Sequence, residues 1–169
     1  GLEVMYHFIT KFIVVLLLSL YFNLLKQTLF IYIFYGLLRI NAHGLHAKSN
    51  LSCWIITLTT YILLSFLSKY LLINFNIGLL IIYICMFSYF LWAPSDTKGK
   101  PIVSKKLRLR LKLLTVIIAS IEVIIYFKFY KYVGNSIIYS NILQSMLINP
   151  VIYKISNQKR NNYLALSNC

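Results

Sequence analysis

Residues 51–92 read LSCWIITLTTYILLSFLSKYLLINFNIGLLIIYICMFSYFLW: two apolar runs, 51–73 and 77–92, parted by Asn74-Phe75-Asn76. Each run approaches the roughly 20 apolar residues that a bilayer-spanning helix needs. Inside lipid every backbone N–H and C=O must be paired within the protein, which leaves helices or a closed barrel. Barrel strands alternate apolar and polar positions in short segments, whereas these runs are continuously apolar, so they read as helices. The same pattern extends in both directions. Upstream, an apolar block over 12–25 is interrupted by Lys26-Gln27-Thr28, and a second run, 29–38, follows. That run is short for a full crossing and is expected to be a tilted, half-inserted or re-entrant helix. Downstream, blocks over 113–127 and 137–153 are separated by Gly134-Asn135, the expected turn.

The chain therefore reads as one all-α domain over residues 1–169, a polytopic integral membrane protein of about five to six membrane helices or half-helices. Composition agrees. Of the 169 residues 60% are hydrophobic and only 12% charged, against about a quarter charged in a soluble domain. No repeat and no second domain is visible. No small-residue cleavage site follows the first apolar block, so no cleavable signal peptide is expected.

Lys and Arg number 17 against 3 Asp and Glu, a formal net charge of +14. Seven of the cations lie between Lys98 and Lys112, in a loop over 93–112 that also holds two of the three prolines. Basic residues hold loops on the cytoplasmic side. With 93–112 there, the break at 74–76 lies outside, while the start of the run at residue 51 and the polar tail 154–169 face the cytoplasm. Lys128 and Lys131 then fall outside, against the rule. Orientation is one reading of the charge; an acidic partner, either anionic lipid or an acidic peptide, is the other. No basic-aromatic module stands outside the apolar blocks, which argues against nucleic acid. Cys53, Cys85 and Cys169 are too few and too scattered for a disulfide framework or a metal site, and no cofactor is expected.

The side chains able to do chemistry gather between residues 39 and 53: Arg39, His43, Gly44, His46 and Cys53 within fifteen residues. A histidine and a cysteine are the parts of a thiol nucleophile and its base. The alternative is a polar cytoplasmic loop whose cysteine simply opens the next helix. On one straight helix His46 and Cys53, seven apart, would sit about 10 Å apart along the axis, too far for a hydrogen bond. Catalysis therefore requires a break between them. Lys48-Ser49-Asn50 supplies one, with Asn50 as helix N-cap and Cys53 at the third helical position. There the free N–H groups and the helix dipole favour a thiolate. Gly44 permits a backbone turn that a side chain would hinder. A helix–turn–helix corner can thus bring His46 back onto Cys53.

The run Arg39-Ile-Asn-Ala-His43-Gly44-Leu-His46-Ala47, with Cys53 seven residues after His46, resembles the accessory gene regulator B family of Gram-positive bacteria, especially its staphylococcal branch. Trp92-Ala-Pro94-Ser-Asp96-Thr-Lys98-Gly-Lys100-Pro101-Ile102 looks like that family's central loop, and the two motifs stand in the right order within a fitting hydropathy pattern. The family carries an amphipathic N-terminal stretch before its first crossing. This sequence opens on Gly1 with little of it, so a further N-terminal piece is expected. The resemblance implies a membrane cysteine endopeptidase of the bacterial cell membrane, with its active site facing the cytoplasm. It implies cleavage of a quorum-sensing propeptide at the C-terminal side of the signal and help in closing a thiolactone ring, the cyclic autoinducing peptide. Carried over by position, His46 and Cys53 match the catalytic pair, and Arg39 and Gly44 match supporting positions; His43 is either a further polar contact or a solvated loop residue. Family substrates carry an acidic C-terminal segment, for which Lys98, Lys100, Lys105, Lys106, Arg108 and Arg110 would form a platform. The expected partners are the propeptide, anionic membrane lipid and a second copy of the chain in a homodimer.

Three questions stay open at the level of sequence. Asp96 would orient His46 if the central loop folds over the site. Glu122, a carboxylate inside an apolar block, is either functional or paired with a lysine or tyrosine hydroxyl at a helix interface. A non-enzymatic channel or transporter subunit, and a peptidase that cleaves without cyclising, remain alternatives.

Overall fold

A computed structural model describes residues 2–47, 49–97, 101–160 and 162, with backbone alone at 2–5, 7 and 8. The helices in order are α1 (Leu2–Tyr21), α2 (Leu25–Ala42), α3 (Asn50–Tyr70), α4 (Phe75–Trp92), α5 (Lys105–Ile148) and α6 (Pro150–Ile155). Three of them, α3, α4 and α5, are long and apolar enough to cross a membrane, and α1 contributes a shorter apolar stretch, Ile9–Tyr21. The protein is an all-α membrane protein, as its hydropathy predicts.

Its interior confirms the solvent it is built for. The outward side chains include Leu63, Phe66, Leu80, Ile84, Phe87, Ile117, Ile121 and Ile124, all about half exposed or more, while Thr28, Ser65, Ser68, Ser136, Ser140, Asn141 and Gln144 are buried. Helices in lipid gain nothing from hiding leucines, so they associate through small residues and interhelical hydrogen bonds. Thr28 Oγ1 donates to Ser65 Oγ at 2.8 Å, joining α2 to α3, and Ser68 Oγ and Ser136 Oγ stand 2.8 Å apart between α3 and α5. Gly78 lets α4 approach α5: a Cβ there would lie 2.2 Å from the Tyr126 hydroxyl and 2.5 Å from Ile138 Cδ1.

Three breaks depart from the sequence reading. The break after the first helix falls at 22–24, with Asn23 in the left-handed region at φ 54°. Lys26-Gln27-Thr28 therefore lies in the first turns of α2, which at 18 residues is longer than the run 29–38 suggests. The break at 74–76 is displaced to 71–74, and Phe75 and Asn76 open α4. The turn expected at Gly134-Asn135 lies instead at Phe129, whose φ −126° and ψ 27° leave the helical region and divide α5 into two arms. Those arms fold back on each other. Asn141 Nδ2 donates to Glu122 Oε2 at 2.7 Å across 19 residues, a separation of about 28 Å on a straight helix. Glu122 thus finds an amide partner rather than the expected lysine or tyrosine, although the Tyr89 hydroxyl donates to Asn141 Oδ1 at 3.0 Å and stands one step away. Gly134 is buried within the second arm.

The hairpin arrangement gives the bundle two ends. Among the described residues, one gathers 43–47 with Ser49, the loop residues 93–97 and 101–104, and those after Ile148. The other gathers 22–24, 71–74 and the kink, where the Tyr139 hydroxyl donates to Leu71 O at 2.9 Å and Lys69 Nζ to Asn23 O at 2.9 Å. The grouping is the one the basic residues predict, with Lys128 and Lys131 at the far end.

Candidate active site

α2 ends at Ala42 because His43 turns left-handed at φ 54° and Gly44 follows at φ +118°. α3 begins at Asn50, capped by Ser49: the Ser49 side chain accepts from Ser52 N at 3.2 Å, and Ser52 Oγ accepts from Ser49 N at 3.2 Å. This reciprocal capping satisfies two of the helix's free donors. The cap is therefore Ser49 and not Asn50, which moves Cys53 from the third to the fourth helical position. Its N–H donates to Ser49 O at 2.9 Å as the first helical bond. The break between His46 and Cys53 is present, and Cys53 sits half-buried at the start of α3. His46 lies in the connection with an exposed side chain.

The corner is held by groups from the whole chain. The Arg39 guanidinium donates through Nη1 to His43 O at 2.8 Å and through Nη2 to Leu45 O. Gln144 Nε2, from the second arm of α5, donates to the same His43 carbonyl at 2.8 Å. Leu45 N donates to Leu147 O at 3.0 Å. Ser95 of the central loop lies along the corner in a short parallel bridge with His43: Gly44 N donates to Ser95 O at 2.9 Å and Ser95 N to Ala42 O at 3.0 Å. Arg39, His43 and Gly44 thus converge. The described start of the central loop thus lies on the corner, the condition that the sequence left open.

Asp96 next to it is buried. One oxygen lies 3.6 Å from Arg108 Nη1 and the other accepts from Asn162 N at 3.0 Å. The Tyr153 hydroxyl donates to Asp96 O at 3.0 Å. Burial, reinforced by the Asp96 charge and opposed by Arg39 and Arg160, pushes the Tyr153 phenol up to about 12, so it stays a neutral donor.

The described residues after Ile155, 156–160 and 162, form a strap against the corner and the central loop. Gln158 Nε2 donates to His46 O at 2.8 Å and Arg160 Nη2 to Trp92 O at 3.0 Å. Of the six cations assigned to a platform, Lys105, Lys106, Arg108 and Arg110 stand on the first turns of α5, capped by Ser104, rather than in a loop. Lys105, Lys106 and Arg110 are exposed, whereas Arg108 turns inward to Asp96. Lys98, Lys100 and Cys169 lie outside the described residues.

A family model described as Accessory gene regulator B matches residues 1–148. The chain belongs to that family. Among its relatives is a putative AgrB-like protein of Clostridium acetobutylicum, 35% identical over 96% of this chain and 78% of its own length. Another is the accessory gene regulator protein B of Staphylococcus haemolyticus, 33% identical over 90% of this chain and 81% of its own. A putative AgrB-like protein of Listeria innocua is 32% identical over 96% and 80%. No solved structure matches the chain. Membership gives the protein a role in the accessory gene regulator quorum-sensing system.

Against that family background, several groups at this end went unread in the sequence. Lys11 Nζ, on α1, donates to Cys53 Sγ at 3.1 Å. Gln144 is one of several polar residues in a largely apolar block, a signal the sequence did carry. Gln158 and Arg160 offered none, being polar residues in a polar stretch.

Proposed function

We propose that the protein is a membrane cysteine endopeptidase that cuts a quorum-sensing propeptide at the C-terminal side of its signal and promotes closure of a thiolactone ring. The observation that carries this reading is the corner itself. Hydrogen bonds with Arg39, Gln144, Leu147 and Gln158 fix residues 43–46, and the exposed His46 precedes a half-buried Cys53 at a capped helix start. In the reaction, His46 takes the thiol proton and the Cys53 sulfur attacks the scissile carbonyl. The C–N bond then breaks and the leaving amine takes the proton back from the imidazolium. A thioester to Cys53 remains. A cysteine within the signal attacks it, exchanging one thioester for another at little net free-energy change and releasing Cys53. The tethered thiol outcompetes water by its effective concentration.

The bundle end carrying Lys105, Lys106 and Arg110 would face the cytoplasm and meet the acidic C-terminal segment of the propeptide, in competition with anionic lipid. A cleft of about 360 Å³ beside it is lined by Trp92, Pro94, Arg108, Lys112 and Arg160 among others, a cationic and aromatic lining suited to such a segment. The deciding experiment incubates the protein in membranes with a cognate propeptide and weighs the products. A signal fragment one water lighter than the linear acid supports cleavage with cyclisation; the linear acid alone reduces the function to cleavage; an intact propeptide overturns the reading.

A further inference from the structure

A lysine in an apolar helix needs a partner, because a bare ammonium near the hydrocarbon is costly. Lys11 lies within the apolar stretch Ile9–Tyr21 of α1. Among the described residues it meets no carboxylate: the described ion pair is Arg108–Asp96, and Glu122 binds Asn141. What Lys11 meets instead is sulfur and an aromatic ring. Its Nζ is 3.1 Å from Cys53 Sγ and 5.7 Å from the centre of the Trp54 ring. The ring face favours a cation over a neutral amine. A neutral thiol is a weak acceptor, so an ammonium directed at sulfur gains most when the sulfur is anionic.

We propose that Lys11 is the charge partner of Cys53: its ammonium, delivered by α1, holds the sulfur as a thiolate. Its role in catalysis rests on the endopeptidase reading above; its effect on the sulfur does not. In that reading the Cys53 S–H bond breaks, the proton passes to His46, and the electron pair stays on sulfur under the Lys11 ammonium until it forms the bond to the carbonyl carbon. Lys11 keeps its protons throughout. Division of labour follows, with His46 moving the proton and Lys11 holding the charge.

The test reads the sulfur directly and needs no propeptide. In the full chain in membranes, with Cys85→Ala and Cys169→Ala so that Cys53 alone reacts, alkylation by iodoacetamide is timed at neutral and alkaline pH. Lys11→Met is expected to slow alkylation at least about tenfold at neutral pH, with the gap closing at alkaline pH where the sulfur is ionised unaided. Lys11→Arg should recover most of the rate. Lys26→Met, at the far end of the bundle against Tyr132, should leave it unchanged. Wild-type alkylation by Lys11→Met at neutral pH overturns the proposal. So does equal slowing of the Met and Arg variants at every pH, which would make Lys11 a packing residue. Alkylation that follows this pattern in a protein that leaves the propeptide intact would uphold Lys11 while removing the endopeptidase reading.

Discussion

A methyl group on Gly44 would stand 2.7 Å from Arg39 Nη1 and 2.8 Å from Leu147 O, on a backbone at φ +118°. Neither neighbour can yield cheaply, since one is engaged with two carbonyls and the other accepts from Leu45 N. Gly44→Ala is therefore expected to cost about 1–3 kcal/mol of local strain and to lower propeptide cleavage at least tenfold, with a lower midpoint in thermal unfolding of the purified protein. Cys53→Ala and His46→Ala should each abolish cleavage while the protein still inserts, and Cys85→Ala, whose sulfur is buried beside Ser145, should retain it. Residual cleavage by Cys53→Ala would exclude the thioester route. The residues of the corner were legible because their chemistry is local: a thiol, an imidazole, and a glycine where the chain turns. Lys11 was not, because its meaning lies in Cys53, 42 residues away, and nothing in the pattern of an isolated apolar helix tells which neighbour its one cation will face.

At the scale of an element, α5 shows how a local signal misleads. Gly134-Asn135 is the best turn dipeptide in the segment, yet the chain turns at Phe129. Phe75, Tyr126 and Tyr130 cluster there with ring centres 5.2–5.3 Å apart, and the Tyr130 hydroxyl donates to Ile73 O. Gly134 serves close packing instead, and Asn135 caps the far end by accepting from Ile73 N at 3.2 Å. Tertiary contacts outweighed turn propensity. The start of α5 was likewise read as loop, because charge there is dense; Ser104 caps it and three exposed cations line its first turns. Replacing Lys105, Lys106 and Arg110 by Gln is expected to raise KM for the propeptide with little change in kcat. The salt dependence should flatten too, since charges on this face are screened over about 8 Å at physiological ionic strength. Unchanged KM with intact topology would make the face an orientation signal alone.

For the whole molecule, the hydropathy of the sequence determined the class of fold, because length and apolarity alone satisfy the bilayer. Which helices touch was not readable, because polar contacts such as Thr28–Ser65 and Asn141–Glu122 join residues far apart in sequence. The strap is the clearest case: Gln158 reaches the His46 carbonyl and Arg160 the Trp92 carbonyl, from positions that look like an ordinary polar stretch. Ending the chain after Ile155 is therefore expected to leave insertion intact and to reduce cleavage, with the 43–49 backbone becoming protease-accessible in limited digestion; full activity would show the strap to be passive. Gln158 reaches back across 112 residues to the His46 carbonyl. Ribosomes make proteins from the N-terminus, so Cys53 enters the membrane before Gln158 has been polymerised. Cys53 is thus present in the nascent chain while its surroundings are still open, and the finished geometry arrives only after the last helix has been synthesised and released.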